Sequence, residues 1–221
     1  MARREPLNRE KVLDAALALA DSEGLDGLTM RKLAKTLGVE AMALYNHVSN
    51  KADILDGIAE RVMADIPSAD PALPWAERVR TLALGMYRAY RVHPVVPLAM
   101  VSDQANPASP AALRPVEALA GAFVEAGFDD DGLRWAVGAV NSLVFGSLLL
   151  ITSGFGTAPP GPEQLEPFAG VDPAELPHFS RLLGALRRLD PEKDFERALD
   201  VLIAGLEAAA AGKSPGGSTR R

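Results

Sequence analysis

The chain has 221 residues, with 23 Lys and Arg against 29 Asp and Glu for a net charge of −6 at pH 7. Its 48% apolar and 24% charged residues are the composition of a globular protein, long enough for one compact domain plus a small one, and exclude wholesale disorder. The absence of Cys excludes a disulfide framework, a thiolate zinc site and a cysteine nucleophile, and leaves His47, His93 and His178 as the available imidazoles.

Strand signals are nearly absent, whereas apolar positions recur at helical spacing along the chain, so the expected class is all-α. Asn8 is read as the cap of a first helix that turns Val12, Leu13, Ala16, Leu17 and Ala20 inward and ends at Gly24. Thr29 caps a second helix stopped by Gly38, and Val39 and Glu40 open a third of barely two turns ending around His47. Asn50 caps a fourth that runs to Ile66-Pro67, and residues 68–74 form a linker. The expected organisation is therefore a reading domain over residues 1–48, a connecting helix over 49–66, a larger helical domain over 67–211, and a flexible tail over 212–221.

Within the larger domain, helices are expected over residues 75–92, 96–103, 111–126, 132–152, 179–189 and 195–210. The Pro- and Gly-rich stretch 153–177 reads as a long surface loop. Residues 135–151 are almost continuously apolar but shorter than the ~20 residues that cross a bilayer, and Asn141, Ser142 and Ser147 interrupt them. That run is expected to be buried in protein. The start, Met1-Ala-Arg-Arg-Glu-Pro, lacks the apolar core of a signal peptide, and with the absent cysteines this points to a cytoplasmic setting.

Two short helices joined by a Gly turn are the outline of a helix-turn-helix, whose second helix enters the major groove of double-stranded DNA. Thr29, Arg31, Tyr45, Asn46, His47 and Lys51 gather donors for phosphates or base edges around it. Arg3, Arg4, Arg9 and Lys11 form a basic arm that is read equally as a DNA contact or as a solvated terminus. Gly138, Ser142 and Gly146 recur every fourth residue along one face, and Leu199, Leu202, Ile203 and Leu206 form an apolar stripe on the last helix. Both are expected to serve helix pairing. Asn141 is a lone amide in apolar surroundings and must find a partner. His47, His93 and His178 are scattered, and Asp129-Asp130-Asp131 reads as a helix start, so no catalytic constellation, cofactor or metal site is expected.

The run Leu28-Thr-Met-Arg-Lys-Leu-Ala-Lys-Thr-Leu-Gly-Val-Glu-Ala-Met-Ala-Leu-Tyr-Asn-His-Val-Ser-Asn-Lys51, continued by Asp53-Ile54-Leu55-Asp56, resembles the signature of the tetracycline-repressor (TetR) family of transcriptional regulators. The C-terminal segment 195–207 is similar to the last helix of the tetracycline repressor. The resemblance implies a ligand-responsive repressor that binds a palindromic operator as a homodimer. It gives phosphate contacts to Thr29, Tyr45, His47 and Lys51, a base or backbone contact to Arg31, and base-facing positions to Ala41, Met42 and Ala43. There the family's polar readers are missing, so a methyl of Ala43 is expected to meet a thymine methyl, with Asn46 as the substitute polar reader.

The same likeness implies an effector pocket lined by Met86, Tyr90, Met100, Phe123, Trp135, Asn141 and Phe145. Where the tetracycline repressor holds its drug and magnesium with histidine, glutamine and acids, this chain has Ala64, Leu82, Met100, Leu119 and Leu150. The expected effector is therefore an apolar or amphipathic small molecule without a chelated metal. A helical scaffold of the same fold that has lost sequence-specific DNA binding is the alternative.

Overall fold

The computed structural model describes residues 6–152 and 159–212, and among them the secondary structure is helical with no strand. Arg3 and Arg4 of the expected basic arm, residues 153–158 of the expected loop and the tail from residue 213 lie outside the described residues.

Helix α1 (Arg9–Gly27) starts where the Asn8 side chain accepts from the Lys11 backbone N–H, and it buries Val12, Leu13, Ala16, Leu19 and Ala20. Gly24 does break the helix, with φ 74 and ψ 179, but the chain resumes for one further turn instead of ending there. Helix α2 (Met30–Leu37) is capped by Thr29 and closed by Gly38 at φ 64, a left-handed conformation that glycine adopts without a Cβ clash. Gly38 also returns its N–H to the carbonyls of Ala34 and Lys35.

Helix α3 (Ala41–Leu44) is a single turn, shorter than expected, because Tyr45, Asn46 and His47 continue as a turn rather than a helix. Helix α4 (Lys51–Ala64) begins with the Asn50 side chain accepting from Asp53 N–H at 2.9 Å. Its first half closes the head over Ile54 and Leu55, and its second half enters the larger domain against α7.

The larger domain follows as α5 (Trp75–Val92), α6 (Val95–Val101), α7 (Pro110–Glu125), α8 (Asp130–Thr152), α9 (Pro162–Leu165), a 3-10 turn (Glu166–Phe168), α10 (Pro177–Leu186) and α11 (Pro191–Ala211). Pro191 opens α11 ahead of the expected start because proline suits the first helical position, with Asp190 accepting from Lys193 N–H. The described part of the expected loop contains α9 and the 3-10 turn, and Phe168 meets Phe179 of α10 edge-on at 5.4 Å. His178 lies in the first turn of α10, which starts two residues before the expected start at residue 179.

Helix α5 is the hub. Tyr87 stacks on Phe195 of α11 at 4.0 Å, Arg88 pairs with Glu192 at 2.7 Å, and Arg80 pairs with Asp200. On its other side Val79, Leu82, Met86 and Tyr90 are fully enclosed.

Two expectations about α8 and α11 need correction. The 23 residues of α8 include a 21-residue stretch long and apolar enough to cross a membrane by length and composition, so shortness does not exclude it. A protein-packed reading of α8 rests instead on its stripe of Ala136, Val140, Val144 and Leu148, which is enclosed by the rest of the chain. On α11, Leu199, Ile203 and Leu206 are buried within their own subunit and are not a free pairing face. The open surfaces are elsewhere: a Cβ at Gly138, Gly146 or Gly205 would meet nothing within 4 Å, and Val201 is 76% exposed.

Candidate nucleic-acid interface and effector domain

The head is held from within by Leu33, Leu44 and Val48, all nearly inaccessible, which fixes what α2 and α3 present outward. Arg31 and Lys35, one helical turn apart on α2, are exposed, as are Met42 on α3 and Tyr45 and Asn46 in the turn behind it. Ala41, Ala43 and His47 are half-buried. Thr29 caps α2 by accepting from Lys32 N–H at 3.2 Å, which leaves its own O–H free to donate.

The cations of the head fall into two groups. Arg9 donates to Asp53 at 2.6 Å and to the His47 carbonyl at 3.2 Å, so it holds α1, the end of the reading turn and α4 together. Lys32 pairs with Glu23, and Lys51 donates to the Leu25 carbonyl at 2.5 Å, satisfying an end group of α1. Arg31 and Lys35 have no ion pair among the described residues and remain available to an anionic partner. The sequence reading singled out Arg31 and passed over Lys35, although the four-residue spacing on α2 was there to find it.

The Arg9 guanidinium beside Asp53 holds that carboxyl below the usual carboxylate range, and the Ser49 N–H, 2.7 Å from its other oxygen, adds to the effect. The clamp is thus ionised throughout the neutral range.

In the larger domain, six of the seven residues assigned to a pocket separate into two groups, with Met100 apart from both. Tyr90 and Phe145 face each other with ring centroids 5.6 Å apart, and Met86 and Asn141 lie one turn earlier on the same two helices. Phe123 and Trp135 instead join Trp75 and Phe128 in an aromatic cluster at the other end, with Phe123 5.4 Å and Trp135 5.6 Å from Phe128. Met100 on α6 is half-buried against the core. Of the residues expected to stand where the tetracycline repressor has its drug ligands, Leu82 and Leu119 are enclosed, whereas Ala64 and Leu150 are exposed.

Two polar atoms in the first group are shut from solvent with no hydrogen-bond partner, Tyr90 Oη and Asn141 Oδ1. Burial pushes the Tyr90 phenol up to about 12. An enclosed group without a partner costs about 1–3 kcal/mol, so each is a place where a ligand or water atom would be welcome.

A cleft of about 630 Å3 opens between α1, α4 and α5, floored by Leu17, Val62, Leu84 and Ala89. At its end His93 caps α5, with Nδ1 2.7 Å from the carboxylate of Asp21 on α1.

Residues 12–58 match the model of bacterial regulatory proteins of the tetR family, and residues 67–210 match that of the tetracyclin repressor-like C-terminal domain. The chain is 33% identical over 213 residues to tetracycline repressor protein class D of Escherichia coli, covering 91% of this chain and 89% of that one. A possible TetR family transcriptional regulator from Streptomyces coelicolor A3(2) is similar in structure, with TM-score 0.77 and 30% identity, over 91% of this chain and all of that one. The TetR family protein ActR of Streptomyces coelicolor, solved in complex with actinorhodin, gives TM-score 0.74 and 26% identity over 93% of this chain and 98% of that one.

Proposed function

The chain belongs to the tetracycline-repressor (TetR) family of DNA-binding transcriptional regulators, and on that premise we propose that it is a cytoplasmic homodimeric repressor released from a palindromic operator by a small molecule. The observation that carries the reading is the outward face of the head. Arg31 and Lys35 stand without an ion pair among the described residues, with Met42, Tyr45 and Asn46 exposed as well, on a scaffold whose other described cations are engaged. In this reading residues 1–48 form the reading head, 49–66 the connecting helix, and 67–211 the effector and dimer domain.

Phosphate contacts come from Thr29, Arg31, Tyr45 and His47, with Lys35 added. Lys51 acts through α1, whose end it holds, as much as through DNA. The chain's net charge of −6 is compatible with this role, because the DNA footprint is a local patch and acidity elsewhere limits non-specific adhesion.

Dimerisation is supported by the open faces of Gly138, Ser142 and Gly146 on α8 and of Val201 and Gly205 on α11. Small residues there let a second copy approach closely, and a two-fold pair matches a palindrome.

The effector we propose is largely apolar with a polar group for Tyr90 or Asn141, the two enclosed atoms that lack partners. The oxygen-poor set Ala64, Leu82, Met100, Leu119 and Leu150 gives a hard cation nothing to bind, so no chelated metal is included. His47 lies in the turn after α3, His93 caps α5 and His178 lies in α10, and no catalytic role is assigned to them.

The test is selection from a randomised duplex pool by the full chain. It should return an inverted repeat with half-site centres about one helical turn apart, bound by two chains. A pool returned without enrichment contradicts the reading.

A further inference from the structure

Helix α3 consists of Ala41, Met42, Ala43 and Leu44, and not one of these side chains carries an N–H or O–H. The helix that enters the groove therefore has no hydrogen bond to offer a base edge from its own side chains. Leu44 is spent on the core, with no exposed surface, and Ala41 and Ala43 are half-buried. Met42 is left, 75% exposed and unbranched.

An apolar side chain directed at phosphates gains nothing, whereas the major groove holds one apolar feature that distinguishes a base, the 5-methyl group of thymine. A thioether chain with three rotatable bonds is polarisable and can adapt to that methyl in a way that a backbone-anchored alanine cannot. Resting on the operator-binding reading above, we infer that Met42 is the specificity-determining residue of α3 and reads thymine by methyl contact. This moves the thymine-methyl contact from Ala43, where the sequence alone had placed it, to the exposed neighbour Met42.

The experiment uses the full chain and the duplex it enriches from a random pool. Each thymine in a half-site is replaced in turn by deoxyuridine, which keeps every hydrogen-bonding group and removes only the methyl. For the wild type, at least one replacement should weaken binding about fourfold, the factor carried by one buried methyl. In Met42→Ala, whose fold is checked by its circular dichroism and melting temperature, the same replacement should change affinity by less than about 1.5-fold.

Equal sensitivity in wild type and variant would overturn the inference by giving the methyl contact to another residue. Insensitivity of the wild type to every replacement would overturn it while leaving the operator reading standing. A pool with no enriched sequence would overturn both.

Discussion

His93 Nδ1 stands 2.7 Å from Oδ2 of Asp21, joining the end of α5 in the larger domain to the middle of α1 in the head. Arg61 of α4 makes a second tie, to Asp14 of α1, also at 2.7 Å. Both contacts tie α1 to elements that follow the head in the chain.

Both partners of the His93 contact are partly exposed, so Asp21→Ala should change global stability by less than about 1 kcal/mol. Its effect should appear in coupling. Once an effector is found, the ratio of operator affinities without and with it should fall at least about threefold in the variant. Operator titrations with and without effector measure it, and an unchanged ratio would remove the contact from the signalling route.

The Arg9 clamp gives a pH dependence. Asp53 is held below its ordinary value of 3.8 by the Arg9 hydrogen bond, so its contribution is present above that value and is lost as pH falls through the lower value of the folded state. Denaturant melts should show the stability gap between wild type and Arg9→Ala open at pH 5 and narrowed near pH 2. A gap that persists unchanged at pH 2 would mean that Arg9 acts through packing or the His47 carbonyl alone.

Tyr90 gives the opposite window. Its folded state favours the neutral phenol, so stability is full below the ordinary phenol value of 10.0 and falls as pH rises from there toward about 12. Tyr90→Phe removes an enclosed hydroxyl without a partner, and should stabilise the apo chain by roughly 1 kcal/mol at neutral pH while flattening the alkaline loss. Guanidinium melts at pH 8 and pH 11 check both signs. Destabilisation at neutral pH would show that the hydroxyl has a partner.

The fold was largely legible where local chemistry dictates it. Asn8, Thr29 and Asn50 cap their helices as read, and Gly38 takes the left-handed turn that a helix-turn-helix needs. What escaped depended on partners distant in sequence. Nothing in the run around Lys51 announces the Leu25 carbonyl, 26 residues earlier. The stripe on α11 was expected to serve pairing with a partner, and only the position of α5 and α8 decides that Leu199, Ile203 and Leu206 face inward. Likewise Trp135 reads as one more large side chain, and it is the meeting of α5, α7 and α8 that places it with Phe128 rather than with Tyr90.

The open glycines permit a direct test of the dimer. A Cβ at Gly146 or Gly205 meets nothing within 4 Å in its own subunit, so a tryptophan there has an open direction to leave by, and the monomer should keep its helicity and gain slightly in helix propensity. Close approach of a second copy would be blocked. Sedimentation velocity should show the wild type as a dimer and Gly205→Trp as a monomer with unchanged circular dichroism, and a variant that stays dimeric would move the interface elsewhere.

Salt dependence separates the two groups of cations. Arg31→Ala and Lys35→Ala should each lower the slope of log affinity against log salt by about 0.9, one phosphate contact apiece, and weaken binding to all sequences alike. Lys51→Ala should also lower the melting temperature, because it frees the Leu25 carbonyl at the end of α1. Slopes unchanged in both α2 variants would show that this face of α2 does not meet DNA.

The most direct test of the central claim is fluorescence anisotropy of the full chain against tiled duplexes flanking its own coding region, at low and near-physiological salt. One fragment should be bound far more tightly than the others, by two chains per site, with selectivity that survives the higher salt. Equal weak binding to every fragment, abolished by salt, would contradict it and favour a helical scaffold that no longer reads sequence.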